Sequence, residues 1–404
     1  WNWGDKYLLT LTGRLDGSSK FGENNKYAFF PAVGAAWNMQ QEDFLADGPF
    51  DQLKLRVGWG QVGNSEFPAG ASEERYAFDQ GTIHLVNVAN PDLKWETTTT
   101  LNIGVDFSIL DSKLSGTVEY FHKDSKDLLF QFPTIQPAPA GFYWINLDGD
   151  VINSGVEVSL DLRAVDKSNF SWEIGGNVSF LKNELQNYTG PSIFYGQVFG
   201  QGSSGATTMK LENGQPLNSF YVKDFQGIGD NGQSIYKDDG ALFFLGDANP
   251  NVNLGIFTTL RMGKLGLNLN FNGAMGHQIY NNTKMSVLPI GNLGSRNIDA
   301  SLLDGPTQEA ISNAISVSSR YLEKGDYVKL TNASLTYDIG KIGNTFKNAR
   351  IYLTGQNLLV MTNYSGFDPE VNTVNVKDGL PSYGIEYIPY PSARTFTLGV
   401  NFTL

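Results

Sequence analysis

Residues 394–404 read RTFTLGVNFTL, in which Phe396, Leu398, Val400, Phe402 and Leu404 alternate with Thr395, Thr397, Gly399, Asn401 and Thr403. Alternation with period two is the mark of a strand whose two faces meet different surroundings. One face is wholly apolar; the other carries hydroxyls, an amide and a glycine. A soluble sandwich would press the apolar face on a second sheet. A membrane-spanning barrel would turn it to lipid and the polar face to a wet lumen. A tilted spanning strand needs about 9–11 residues, which is the length found here. One strand leaves both readings open, so the rest of the chain decides.

The pattern recurs about twelve times, at 6–14, 26–38, 53–62, 97–110, 113–122, 155–164, 170–181, 252–262, 264–275, 327–339, 350–359 and 394–404. In the ninth, Leu265, Leu267, Leu269 and Phe271 share one face, and Gly266, Asn268, Asn270 and Asn272 the other. In the tenth, Val328 and Leu330 fall in one phase and Ala333, Leu335 and Tyr337 in the opposite one, which predicts a bulge near Asn332. Pro31 lacks a ladder donor and is expected at a bulge or strand end. A short helix is expected over 307–316.

The connections alternate in length. Long polar segments lie at about 63–96, 123–152, 182–251, 276–326 and 360–393, and the links between them, such as Asp111-Ser112 and Gly263, are mostly short. A sandwich gives no reason for this parity. Outer-membrane barrels do, with short turns on the periplasmic side and long loops outside. The first strand then runs outward and the C-terminus ends in the periplasm. Tyr7, Trp37, Trp59, Phe107, Tyr120, Trp172, Phe180 and Tyr337 fall near strand ends, as interfacial aromatic girdles do. The fold class read from the sequence is therefore all-β, a transmembrane antiparallel β-barrel placed in the cell outer membrane, in contact with the bilayer and lipopolysaccharide.

Composition agrees. Charged residues make up 17% of the 404, against about 25% in a typical globular domain. The net charge of −12 argues against a nucleic-acid partner. No cysteine is present, so thiol catalysis and thiolate metal sites are ruled out. No apolar run is long enough for a spanning helix, but barrel strands hide their hydrophobicity in alternation. Trp1 enters mid-pattern, so an upstream part is expected.

Several segments resemble the C-terminal half of the barrel of SusC/RagA-type TonB-dependent transporters, the outer-membrane importers of Bacteroidota. They are GRLDGSSKFGENNKYAFFPAVGAAWNMQQEDF, LKLRVGWGQVGN, NPDLKWETTTTLNIGVDFSIL, NSGVEVSL, LGDANPN, YLEKGDYVKLTNASLTYDI, ARIYLTGQNLL and RTFTLGVNFTL, in the family's order. The resemblance implies the last twelve of twenty-two strands. An N-terminal plug, ten further strands and the TonB-contact segment would lie outside residues 1–404. It also implies a SusD-like surface lipoprotein as partner, and glycans or peptides as cargo. Two departures stand out. Family barrels commonly end in an aromatic residue, whereas this chain ends in Leu404. The segment GIGDNGQSIYKDDGALFFLGDANP keeps Asp230, Asn231, Asp238 and Asp239, but the compact alternation of calcium ligands is broken.

No catalytic motif stands in a matching context, His84, His122 and His277 are scattered, and no cofactor is expected. Inward carboxylates such as Asp106, Glu119, Glu157, Asp161 and Glu173 are what a polar lumen needs, with Arg56 and Arg163 as counter-charges. The candidate binding residues are loop aromatics: Trp95, Tyr143, Trp144, Phe194, Tyr195, Tyr383 and Tyr387, with Phe142 and Tyr390 beside them. Aromatic faces stack on sugar rings and their polar tips reach hydroxyls. The same residues could instead pack the loops on one another or on a lipoprotein. An importer is the leading function; a docking barrel and a passive twelve-strand porin are the alternatives.

Overall fold

The computed structural model describes residues 1–403 apart from 135–139, 201, 202, 204, 296, 299–301, 303–308, 371–374, 378 and 379. Twelve long strands follow one another in a single antiparallel sheet: β1 (Tyr7–Gly17), β2 (Tyr27–Asn38), β3 (Phe50–Asn64), β4 (Glu96–Ile109), β5 (Leu114–Lys126), β6 (Asp150–Lys167), β7 (Phe170–Gln186), β8 (Val252–Met262), β9 (Leu265–Met275), β10 (Tyr327–Ile342), β11 (Phe346–Thr362) and β12 (Thr395–Thr403). Asn2–Trp3 adds a two-residue rung outside β1. Each strand pairs with its neighbours in sequence, which satisfies backbone groups without water, as a lipid setting demands. The order leaves β1 and β12 at opposite ends of the sheet, and no pairing between them occurs among the described residues.

Register explains the alternation. Tyr7, Trp37, Leu55, Val105, Val118, Val158, Val178 and Leu254 stand opposite one another in turn across the eight strands β1 to β8. This row forms a continuous apolar outer face. Leu398, Phe396, Leu11 and Leu15 on the two end strands are each about two-thirds exposed or more, a state that lipid accommodates and water does not. One residue along, Arg56, Gly104, Glu119, Glu157, Ser179 and Asn253 line up on the other face. A slip of one residue would exchange the two faces of a strand, so the pattern pins the register.

The short links lie at one end. Leu110, Asp111 and Ser112 all have φ between 56° and 61°, giving a tight left-handed turn between β4 and β5. Gly263, with φ of 56°, turns β8 into β9, a conformation that costs glycine nothing. The expected bulge is present: Phe271 pairs with Leu330 and Asn270 with Asn332, so Thr331 is the extra residue. Pro31 sits inside β2 opposite Gly13 with no register shift, not at a bulge or strand end. It is tolerated because the ladder to β3 stops one residue away, at Ala32. The expected helix over 307–316 does not form within 309–316, which is coil around a turn at Ile311 and Ser312; residues 307 and 308 lie outside the described set, as do Pro137, Pro139 and Leu404. The one α-helix among the described residues is Asn282–Val287, whose N-cap Asn281 accepts from the Lys284 N–H.

The buried core is in the loops. One cluster gathers Leu185, at the end of β7, with Tyr195, Met209, Leu211, Phe220, Tyr280 and Ile385 from three separate connections. A second holds Phe21, Phe30, Phe67, Leu93 and Trp95. The long loops therefore fold into a packed cap over one end of the sheet.

Candidate functional site

The lumen face divides chemically. On β3–β5 it is charged. The Arg56 guanidinium donates to both Asp106 oxygens at 2.7 and 2.9 Å and lies 3.1 Å from Glu119, while the Thr117 hydroxyl donates to Asp106 at 3.0 Å. On β9 it is neutral and amide-rich. Asn268 Nδ2 donates to Thr259 at 2.9 Å, Asn270 Nδ2 to Asn268 at 2.7 Å, and Asn272 Nδ2 to Glu370 at 3.2 Å. Amides both donate and accept, so such a wall can meet hydroxyls or peptide groups alike.

Above the lumen the cap places the predicted aromatics in two different settings. Trp95 is buried between Phe21 at 4.5 Å and Phe30 at 5.6 Å between ring centroids. Tyr195 is also buried, and its hydroxyl accepts from the Asn218 N–H at 2.6 Å. Burial pushes the Tyr195 phenol well above its ordinary range. These two residues pack loops. Trp144 is half-buried at the edge of the Trp95 cluster, 5.8 Å from Phe67, and Tyr143 lies 5.8 Å from Phe132. Tyr387 stacks on Phe199 at 5.3 Å and 23°. Phe194 and Tyr383 are exposed, and so are Phe142 and Tyr390. The fold thus joins Trp95 with Trp144 in one cluster and puts Phe194 beside Tyr221 and Lys210 in another.

Sequence reading missed the polar clusters that weld the loops together. Arg320 clamps Glu309 with two parallel bonds of 3.0 and 2.6 Å and stacks over Phe225 at 5.3 Å. Burial raises the Glu309 carboxyl, but Arg320 and Asn313 outweigh it and leave it below the ordinary range. Glu323 behaves alike, with burial outweighed by Ser365 and Lys284. Glu386 is fully buried and accepts from the hydroxyls of Tyr364, at 2.7 Å, and Thr283. The partners in each pair come from different parts of the chain, so no spacing announced them. Their only trace was a charge or amide inside an otherwise aromatic loop.

The acidic loop segment forms turns. Asn231 Oδ1 accepts from the Gln233 N–H, and Asp238 and Asp239 take left-handed backbone conformations. Among the described residues no group of three or more His, Asp or Glu side chains is arranged to hold a metal.

A lipid-facing sheet, a polar lumen and a packed outer cap define an outer-membrane β-barrel. Residues 1–358 match the family model described as TonB dependent receptor-like, beta-barrel, and the chain belongs to that family. The TonB-dependent receptor P3 of Formosa agariphila is 30% identical over 99% of this chain and 44% of its own length. The TonB-dependent receptor SusC of Bacteroides thetaiotaomicron is 26% identical over 98% of this chain and 42% of its own. The solved RagAB peptide importer in its closed-closed state shares the fold, with a TM-score of 0.84 at 21% identity, over 98% of this chain and 46% of that one. The chain spans less than half the length of these relatives.

Proposed function

We propose that residues 1–404 form the C-terminal wall, lumen lining and outer loops of a TonB-dependent nutrient importer that takes up glycans or peptides beneath a SusD-like surface lipoprotein. The single observation that carries this reading is the twelve-strand sheet itself. It is polar inside and apolar outside, and β1 and β12 stand at opposite ends. Unpaired edges are costly in lipid. In this reading the gap is filled by an N-terminal barrel half around a plug, and TonB pulls on that plug.

Cargo contact falls to the exposed or half-exposed aromatics Phe194, Tyr383, Tyr387, Tyr143 and Trp144, with Trp95 and Tyr195 holding the loops that present them. The chemistry at the wall is binding, with no covalent step.

The test is uptake by cells carrying the full-length protein, with a fluorescent oligosaccharide and a fluorescent oligopeptide offered in turn. Uptake of one of them that stops when TonB or the neighbouring lipoprotein is deleted supports the importer. Entry that survives loss of TonB would show a passive pore instead.

A further inference from the structure

The connection after β11 leaves at the rim, and its first arm, 363–370, comes back to the lumen wall. The last rung of β10 and β11 is Tyr327 with Thr362, and Lys329 with Val360 lies two residues deeper. Lys329 is on the lumen face, opposite Asn272 of β9. Yet the partners of Lys329 come from beyond the end of β11. Its ammonium lies 3.1 Å from Asp368 and 2.7 Å from Glu370. Glu370 also accepts from Asn272 Nδ2 at 3.2 Å, so the segment touches two neighbouring wall strands. The far arm of the same connection joins the cluster, because the Ser392 hydroxyl donates to Asp368 at 2.9 Å. The Lys329 and Asp368 side chains are only 4% and 5% exposed. A pair this dry holds firmly when intact and is costly to break on one side.

We propose that the two arms 363–370 and 380–394 form an inward-folded strap, clamped at its neck by Lys329, Asp368, Glu370 and Ser392, that narrows the outer mouth of the lumen and must be released for bulky cargo to pass. Three further contacts hold the far arm from above. Ile385 and Glu386 pair in parallel with Tyr280 and Asn281, the Ile388 N–H donates to Thr283 at 2.6 Å, and Tyr364 holds Glu386. The strap is therefore fixed at top and bottom. Its lower clamp lies on the lumen side of the wall, where the Glu370 side chain is exposed beside the buried Lys329 and Asp368. Charged or amide groups on an arriving ligand can compete for those partners. The proposal goes beyond the importer reading and holds whichever cargo is carried.

The test uses the full-length protein and Asp368→Asn, which alters the strap and leaves every wall residue in place. Amide hydrogen exchange is expected to quicken about tenfold or more in both arms, 364–370 and 388–394, as follows from losing a buried charged bond, with β9–β11 unchanged. Residues 1–404 contain no cysteine, so Asn270→Cys places a single thiol in them, on the lumen wall below the clamp. A bulky, membrane-impermeant maleimide added outside is expected to label it about tenfold faster in the Asp368→Asn background. Quickened exchange in one arm alone, or equal labelling in both backgrounds, overturns the strap. If Asp368→Asn fails to assemble, Ser392→Ala replaces it. It is expected to quicken exchange in 388–394 only, and no change there overturns the clamp.

Discussion

Val118 and Val158 stand directly opposite one another across β5 and β6, in the middle of the apolar row that runs from Tyr7 to Leu254. Their neighbours one residue along, Thr117 and Ser159, form the matching pair on the lumen face. Replacing Val158 by Arg is expected to destabilise the barrel by about 2–4 kcal/mol, the cost of a cation near the bilayer midplane. Ser159→Arg, one residue away but turned to water, is expected to be close to neutral. Urea titration of the full-length protein in vesicles separates the two; equal losses would mean that the apolar face does not meet lipid.

The Thr331 bulge carries a second expectation. Deleting Thr331 leaves Leu330 opposite Phe271 and Asn332 opposite Asn270 in an unbroken ladder to β9, with Tyr327–Leu330 on their present faces. Lys329 would stay on the lumen face, opposite Asn272. Both the deletion and Thr331→Ala are expected to assemble, read as heat-modifiable migration on gels, and loss of that migration in the deletion alone would mean that the extra residue is needed on the β11 side.

Gly22 tests how the first loop is seated. A Cβ at this position would lie 1.8 Å from the Pro91 carbonyl oxygen, a backbone atom that cannot swing aside. Gly22→Ala is expected to part the first loop from 65–95, costing about 1–3 kcal/mol of local stability. Lys20, which donates to the carbonyls of Ser65 and Phe67, should then be cut faster by trypsin.

The Arg320–Glu309 clamp should respond to acid. The Glu309 carboxyl titrates below its ordinary value of 4.5 because Arg320 and Asn313 outweigh its burial. A depressed carboxyl contributes fully above the unfolded value and loses that contribution as pH falls through the folded one. Amide protection at 309–320, taken relative to the exchange rate of an unstructured chain at the same pH, is therefore expected to be flat from neutral pH down to about 4.5 and to fall below it. Arg320→Met leaves Glu309 buried without its cation and should loosen the same segment at neutral pH, by about 3–5 kcal/mol.

Two tyrosines separate packing from contact. Tyr195→Phe leaves the buried Asn218 N–H without its acceptor, and is expected to cost about 1–3 kcal/mol of cap stability with uptake unchanged at low temperature. Tyr383→Ala, at an exposed position, is expected to leave stability unchanged and to lower uptake. The reverse outcome would exchange the roles of the two residues.

The twelve strands, their lipid and lumen faces, the parity of the connections and the bulge beside Asn332 were all legible in the sequence. Each is a local property: side chains two residues apart share a face of a strand, so the surroundings of a strand are written along it. The cap was not legible. Which aromatics are buried, as Trp95 and Tyr195 are, and which stay exposed, as Phe194 and Tyr383 do, depends on residues tens of positions away. The same holds for Arg320 with Phe225, for Glu386 with Thr283, and for Lys329 with Asp368. Loops carry no period to mark their inner side. Only tertiary structure decided those contacts, because closing a loop brings together groups whose spacing along the chain carries no information about their meeting.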